Sequence, residues 1–152
     1  MTRRLALVIA TGLGAGLLPG APGTWGSLAA LPCAWALVWF GGKIALAGAA
    51  LVAFGLGCWA SGVASDGKDP GWIVIDEIAA QWLVLLAAPL DWRAYLAGFL
   101  LFRIFDIWKP FPIRRVERAV PGGLGIMLDD VLAAIYALVP LAIGEGALGV
   151  RF

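Results

Sequence analysis

The sequence predicts an all-α fold, a compact membrane-associated bundle of about five or six helices. Hydrophobic residues make up 62% of the chain and charged residues only 14%, whereas ordinary soluble domains carry about 25% charged residues. The mean hydropathy is +0.92, and no stretch shows the apolar–polar alternation that is typical of strands. With 152 residues, the chain is expected to form a single domain over residues 1–152.

Apolar segments mark the predicted helices. They occupy residues 27–41, 43–65, 73–90, 94–107 and 129–149. Several approach the roughly 20 residues that cross a bilayer, whereas the first and the fourth are shorter and would be tilted or packed inside the bundle. Residues 1–18 resemble a signal peptide, but Gly12, Gly14 and Gly16 interrupt the apolar run. We therefore expect this segment to be retained and to pack near the functional site.

The distribution of cations predicts a topology. Arg3 and Arg4 favour a cytoplasmic N-terminus, because cytoplasmic loops are enriched in Lys and Arg. If every predicted helix crosses the membrane, the loops at 66–72 and 108–128 also face the cytoplasm. These loops carry most of the remaining cations and lie beside most of the acids. The sequence thus predicts a multi-pass membrane protein whose charged residues gather on the cytoplasmic side.

The absence of histidine narrows the chemistry. It removes the commonest general base and the commonest ligand of transition metals, so a bound metal should be a hard cation held by oxygen, such as Mg²⁺. Cys33 and Cys58 lie in apolar runs without the spacing of a metal site or redox motif, and are predicted to be free thiols. The chain also lacks a cysteine-phosphatase loop, a Walker A motif and the Asp-x-Asp-x-Thr motif of haloacid-dehalogenase enzymes.

Two pairs of adjacent acids are the candidate metal ligands. Asp76 and Glu77 lie within an apolar run, where an uncompensated charge is costly. Asp129 and Asp130 precede another apolar run, and we expect them to open the last helix, where the helix dipole favours carboxylates. One acid would suffice to cap a helix, so the second favours a ligand role. Together the four acids give the all-oxygen donor set that Mg²⁺ prefers.

The candidate catalytic groups lie at the end of a predicted helix and in a turn. Arg103, Asp106 and Lys109 are spaced by three residues and share one helical face. An intrahelical salt bridge would explain Arg103 with Asp106, but it leaves the basic run that continues to Arg118 unexplained. A cationic rim around an anionic substrate explains both. Asp69, in a turn before a proline, completes this set.

The candidate substrate-binding residues come from two further places. Thr24 and Ser27 lie in a turn before an apolar helix, where either could cap the helix and its N–H groups could bind an anion. A plain helix cap is an equally good explanation. Arg114 and Arg115 belong to the basic run and would hold the remaining phosphate charge. Carboxylates beside basic residues are what metal-assisted chemistry on a phosphate ester needs.

Four segments resemble the phosphatidylglycerophosphatase A family and occur in the family's order. They are Gly23-Thr-Trp-Gly-Ser-Leu, Ile75-Asp-Glu-Ile, Phe102-Arg-Ile-Phe-Asp-Ile-Trp-Lys-Pro-Phe-Pro-Ile and Gly122-Gly-Leu-Gly-Ile-Met-Leu-Asp-Asp-Val-Leu-Ala. They extend from about residue 20 to residue 134. The third and fourth are long enough to be very specific, whereas Gly-Thr-x-Gly-Ser alone would mean little.

The resemblance implies a Mg²⁺-dependent phosphatase of the bacterial cytoplasmic (inner) membrane, with its active site facing the cytoplasm and a central helix surrounded by the others. Its substrate would be phosphatidylglycerophosphate, which loses its terminal phosphate to give phosphatidylglycerol. Membrane lipid is the expected partner and nucleic acid is not, while the oligomeric state is left open by the sequence.

Two other functions are compatible with acids in a small helical membrane protein. A CDP-alcohol phosphotransferase would show Asp-Gly-x-x-Ala-Arg, whereas Asp66-Gly67 is followed by Lys-Asp-Pro-Gly. An ion-binding or transport protein would use the same acidic cluster as part of a pathway. That function predicts acids spread across the depth of the membrane rather than gathered at one end of several helices.

Overall fold

The all-α prediction is confirmed by the computed structural model, which describes residues 2–65 and 70–147 and places no strand among them. The described residues form six α-helices and a short 3-10 turn at Ala15–Leu17. The helices are α1 (Thr2–Ala10), α2 (Pro22–Ala64), α3 (Ile75–Leu85), α4 (Trp92–Trp108), α5 (Ile113–Ala119) and α6 (Gly122–Ala147).

The long helix α2 consists of two arms that fold back on each other. Gly42 interrupts it with φ 68° and ψ −175°, a backbone region that is essentially restricted to glycine. Gly26 of the first arm packs against Val74, and Gly57 of the second arm packs against Ile75. Both arms therefore return to the beginning of α3. They correspond to the predicted segments 27–41 and 43–65.

Helix α3 lies at the centre of the described structure, as a bundle around a central helix requires. Most of its residues are buried, including the polar Asp76 and Gln81, and it packs against α2, α4 and α6. Val84 and Leu85 lie against Gly98 of α4, where the missing side chain brings the two helices together. An acid in the first turn of α3 is consequently enclosed by neighbouring helices.

The N-terminal segment packs against the beginning of α3, close to the acids, as expected. The backbone N–H of Val74 donates to the carbonyl of Ala10 over 2.8 Å. Gly16 lies directly against the carbonyl oxygen of Trp72, a position that no other residue could occupy without displacing the loop. These contacts fix the chain just before Asp76.

The prediction that Asp129 and Asp130 open the last helix is wrong, because α6 already begins at Gly122. The glycines that precede the acids belong to the helix rather than to an entry turn. Gly123 lies directly against the carbonyl oxygen of Cys58 and 2.6 Å from the amide nitrogen of Gly62, measured from the Cβ that any other residue would carry. Glycine therefore permits α6 to cross the second arm of α2 at close range, and the acids lie two turns inside the helix.

Helix α5 was not predicted, because its seven residues carry mainly charged side chains. It packs on α6, and its first residue, Ile113, is fully buried. The hydroxyl of Tyr136 on α6 donates to the carbonyl of Phe111 over 2.7 Å. These contacts place the basic run beside the beginning of α6.

Among the described residues, two helices are long and apolar enough to cross a membrane, α2 and Gly122–Gly144 of α6. Both keep large apolar side chains on the outside of the bundle. These are Trp39, Phe40, Ile44, Leu51 and Val52 on α2, and Ile135, Val139 and Ile143 on α6. An apolar exterior of this kind suits a lipid environment, so membrane association is supported by both length and surface.

Candidate active site

Three acids meet where α3 and α6 begin to pack on each other. Asp76, Glu77 and Asp130 each offer one carboxylate oxygen, and these oxygens all lie within 4.8 Å of one another. Asp76 and Asp130 are buried, with exposures of 6% and 4%, and the Glu77 side chain is 14% exposed. The structure thus brings together three of the four predicted metal ligands, which we call the acid cluster.

The acid cluster suits a hard cation. Carboxylates this close repel one another unless a positive charge lies between them, and oxygen donors are the ligands that Mg²⁺ and Ca²⁺ prefer. Within the described part of the chain, Oε2 of Glu77 and Oδ2 of Asp130 are buried without a hydrogen-bond partner. Buried polar atoms are rarely left in this state unless water, an ion or a functional role accounts for them. The acid cluster could therefore bind a metal ion.

The fourth predicted ligand, Asp129, lies beside the cluster and pairs with Lys109. Its Oδ2 accepts a hydrogen bond from Nζ of Lys109 over 2.6 Å, and Glu117 of α5 approaches the same nitrogen at 3.3 Å. Burial opposes the charged form of Lys109, but the two carboxylates outweigh it and hold its pKa above the ordinary value. Lys109 is therefore a cation at neutral pH, fixed to the helix that carries Asp130.

Arg103 and Asp106 form the intrahelical pair that their spacing predicted. Nη1 of Arg103 lies 2.6 Å from Oδ2 of Asp106 and 3.8 Å from Oε1 of Glu77. The two interpretations of this spacing are consequently compatible, since the salt bridge within α4 also presents a largely buried guanidinium group to the acid cluster. Asp106 is close enough to Glu77 for their charges to interact.

The first turn of α2 also belongs to the site, though not in the way expected for Thr24 and Ser27. The helix begins at Pro22 after Ala21, without a side-chain cap, so the prediction that Thr24 or Ser27 caps it is wrong. Both residues lie inside the helix, where Ser27 is buried and its hydroxyl donates to the carbonyl of Gly23 over 2.9 Å. Proline at the first helical position needs no cap for its own nitrogen.

Gly23 of this turn touches the site. A side chain at this position would collide with Oε1 of Glu77 and approach Nη1 of Arg103 to 3.1 Å. Glycine therefore lets α2 close over the pair formed by the acid and the guanidinium group. A substrate-binding role for the hydroxyl groups of Thr24 and Ser27 stays a prediction.

Arg114 and Arg115 line a surface cavity of about 420 Å³ together with Trp108 and Lys109. Arg114 donates to the carbonyl of Trp108 over 3.2 Å, and the guanidinium group of Arg115 lies 5.0 Å from the ring centre of Phe111. Through Lys109 and its partner Asp129, this cationic cavity adjoins the acid cluster.

Asp69, the remaining catalytic candidate, lies outside the described residues. Three neighbours of the site were not singled out from the sequence: Gly23, Gln81 and Glu117. A signal for Gln81 was available, because a polar side chain four residues after Glu77 in an apolar run lies on the same helical face. No sequence pattern indicated Glu117, because a single acid among basic residues is common on protein surfaces.

An acid cluster edged by Arg103 and Lys109, at one end of an apolar helical bundle, is typical of membrane enzymes that act on phosphate esters. The model of the family Phosphatidylglycerophosphatase A matches residues 8–144. The chain belongs to this family. It is therefore a phosphoric monoester hydrolase, and an ion-transport function is set aside.

Individual relatives agree with this assignment. Phosphatidylglycerophosphatase A of Haemophilus influenzae is 49% identical over 137 residues, covering 87% of this chain and 83% of the relative. The enzyme of the same name from Escherichia coli is 42% identical over 134 residues, covering 86% and 77%. A putative phosphatidylinositol-3-phosphatase of Bacteroides thetaiotaomicron is 39% identical over 159 residues, covering 95% and 96%. No solved structure matches the chain.

Proposed function

We propose that the protein is a Mg²⁺-dependent phosphatase that removes the terminal phosphate of phosphatidylglycerophosphate and leaves phosphatidylglycerol in the membrane. The observation that carries this proposal is the buried acid cluster of Asp76, Glu77 and Asp130. Its setting, with cations on one side and an apolar bundle around it, suits an anionic headgroup on a lipid. The names of the two relatives called phosphatidylglycerophosphatase A support the same substrate.

Asp76, Glu77 and Asp130 would hold the Mg²⁺ ion, and Asp129, the residue before Asp130 on α6, would be the fourth acid of the metal site. When bound, the ion supplies positive charge to the phosphate and can activate a water molecule. An all-oxygen donor set without histidine or cysteine favours Mg²⁺ over softer metals.

Arg103 and Lys109 would bind the oxygens of the terminal phosphate. Each is already held by carboxylates, Arg103 by Asp106 and Lys109 by Asp129, so little side-chain entropy remains to be lost when a phosphate is bound. Asp69 and Asp106 are the remaining acids that could move a proton during hydrolysis.

The second phosphate of the substrate, a diester, would lie in the cavity lined by Arg114 and Arg115. Arginine forks bind phosphate oxygens well, and the cavity adjoins the acid cluster through Lys109. Thr24 and Ser27 of α2 would be further substrate contacts, and the hydroxyl of Ser27, which donates to the carbonyl of Gly23, would have to turn towards the substrate. The acyl chains would remain in lipid, against the exposed apolar side chains of the bundle.

A multi-pass arrangement in the bacterial cytoplasmic membrane follows from this proposal, with the acid cluster facing the cytoplasm. The two arms of α2 and the helix α6 are the elements with the length and apolar surface to cross. The basic residues beside the cluster satisfy the bias of cytoplasmic loops towards Lys and Arg.

A phosphoinositide is the second candidate substrate. It is favoured by the relative from Bacteroides thetaiotaomicron, which is named a putative phosphatidylinositol-3-phosphatase. Both lipids carry a phosphomonoester and a phosphodiester, so the acid cluster and the cationic cavity alone would accept either. The two substrates differ in the spacer between the phosphates, a glycerol in one and an inositol ring in the other.

The test is phosphate release by the detergent-purified protein from each lipid, with Mg²⁺ and with excess chelator. The proposal predicts release from phosphatidylglycerophosphate that needs Mg²⁺ and exceeds release from phosphatidylinositol 3-phosphate at least about tenfold, which corresponds to about 1.4 kcal/mol in transition-state binding. Faster release from the phosphoinositide would make phosphatidylinositol 3-phosphate the preferred substrate instead. Phosphate release that is unchanged by chelator would show that the reaction does not need Mg²⁺.

A further inference from the structure

Gln81 is a fully buried polar side chain of α3 with no hydrogen-bond partner. Its exposure is 0%, and neither its amide oxygen nor its amide nitrogen is bonded to any described residue. Leaving a buried amide without hydrogen bonds costs folding free energy, and methionine would fill a similar volume without this cost. In the metal-free protein, Gln81 therefore lowers stability. A buried polar group without partners is rare, and a functional role is one of the reasons for which such a group is retained.

The position of Gln81 on α3 points it at the acid cluster. It follows Glu77 by four residues, so the two side chains lie on one helical face. Side chains of an α-helix lean towards its N-terminus, over the preceding turn, and the preceding turn here carries Glu77. The carboxylate oxygen Oε2 of Glu77 is itself buried and lacks a hydrogen-bond partner among the described residues. A donor and an acceptor without partners thus occupy adjoining turns.

We propose that Gln81 is a positioning residue of the acid cluster. Once the acid cluster holds a cation, the amide nitrogen of Gln81 donates to the carboxylate of Glu77, directly or through one buried water, and keeps this carboxylate turned towards Asp76 and Asp130. The inference rests on the proposed function, because it assigns Gln81 to the same metal site. Groups that orient metal ligands in this way commonly account for a factor of about 10 to 100 in metal affinity.

The test is a Mn²⁺ titration followed by electron paramagnetic resonance, with the thermal midpoint of the metal-free protein measured in parallel. Mn²⁺ replaces Mg²⁺ because it is also a hard, oxygen-bound cation and is visible to this method. Gln81→Met should bind Mn²⁺ about 10- to 100-fold more weakly than the wild type. Its metal-free thermal midpoint should be equal or higher, because the unbonded amide has gone. A residue that merely fills the core would give the opposite pattern, a lower midpoint and unchanged affinity.

Tyr95→Phe is the matched control. The hydroxyl of Tyr95 is also buried without a partner among the described residues, but it lies eight residues before Arg103 on α4, about 12 Å along the helix. Removing it should leave Mn²⁺ affinity unchanged. Gln81→Asn, which withdraws the amide by one carbon, should weaken binding as Gln81→Met does, and it decides the question if Gln81→Met does not fold.

The role of Gln81 and the metal site itself can be disproved separately. A wild-type protein that binds Mn²⁺ together with folded Gln81 variants of equal affinity would overturn the role of Gln81 and leave the metal site intact. A folded wild-type protein that binds no Mn²⁺ would overturn the proposed metal site itself, and the role of Gln81 with it.

Discussion

Asp130 is the acid whose surroundings demand a cation most strongly. It is buried two turns inside α6, and its Oδ2 has no hydrogen-bond partner among the described residues. Asp76 and Glu77 face it from α3, so like charges meet in a site of low polarity. A metal ion would relieve this repulsion, and removing one negative charge should relieve it as well.

We therefore expect Asp130→Asn to lower turnover by about 100-fold or more, since a lost metal ligand removes several kcal/mol of charge stabilisation. The metal-free protein should nevertheless be at least as stable as the wild type. Phosphate release and the thermal midpoint in detergent measure the two effects.

The control for Asp130→Asn is Asp91→Asn, which makes the same chemical change at the other end of the bundle. Asp91 caps α4 by accepting a hydrogen bond from the backbone N–H of Arg93 over 2.8 Å. Asparagine caps helices as well as aspartate does, so activity and stability should both stay near wild-type values. Equal losses of activity in the two variants would show that Asp130 acts only through folding.

At the residue scale, the sequence indicated the acids but not their pairing. An acid within an apolar run needs a partner whatever the fold, which is why Asp76, Glu77, Asp129 and Asp130 stood out. Which acid meets which cation depends on how α4 and α6 pack, and no local pattern reports this. Lys109 consequently pairs with Asp129, twenty residues away.

At the element scale, the crossing of α6 over the second arm of α2 positions the acids. Gly123 is the contact that permits it, because a side chain there would collide with the carbonyl oxygen of Cys58. Gly123→Ala should force the helices apart and cost about 1–3 kcal/mol, the usual penalty for overpacking. Turnover should fall together with the thermal midpoint, because α6 carries Asp130.

Gly48→Ala is the matched control for Gly123→Ala. Gly48 also lies inside a helix, but a Cβ at this position would meet no atom within 4 Å. Alanine is the better helix former by about 1 kcal/mol, so the variant should be as stable as the wild type or more stable. Equal thermal midpoints for the two alanine variants would contradict the close crossing of α2 and α6.

Hydropathy predicted the helices wherever the chain is apolar. It did not predict where the helices begin and end. The break near Gly42 was predicted because two glycines divide the apolar run. The beginning of α6 was misplaced because Gly122-Gly-Leu-Gly is typical of a turn, and only the packing against α2 makes these glycines helical. Helix α5 was not predicted because its local sequence is largely charged. It is held in place by the tertiary contacts of one apolar residue, Ile113.

At the scale of the whole molecule, the charges define two unequal ends. The acid cluster and the basic run lie at one end, whereas Lys43 lies next to the Gly42 break of α2, and Asp91 and Arg93 lie at the beginning of α4. Composition alone predicted a membrane-associated helical bundle. Which helices pack against each other was not predictable from the sequence. Lipid-facing and core-facing residues are similarly apolar, so the hydropathy of a helix shows little periodicity that would indicate its buried face.

The proposed topology predicts which end faces the cytoplasm. In a background with Cys33→Ser and Cys58→Ser, we expect Arg118→Cys to react with a membrane-impermeant thiol reagent only when the cytoplasmic face is accessible. Lys43→Cys should react only from the outer face. Both positions are exposed in the structure, so each should be reactive once reached. Labelling of both from the same face would contradict a membrane-crossing α2 hairpin.

Mn²⁺ binding, measured by electron paramagnetic resonance on the wild type, Asp130→Asn and Asp91→Asn, tests whether Asp76, Glu77 and Asp130 hold the catalytic cation. The wild type and Asp91→Asn should bind Mn²⁺ equally well, and Mg²⁺ should displace it, whereas Asp130→Asn should bind Mn²⁺ far more weakly or not at all. Wild-type affinity in a folded Asp130→Asn protein would contradict this prediction and place the cation elsewhere.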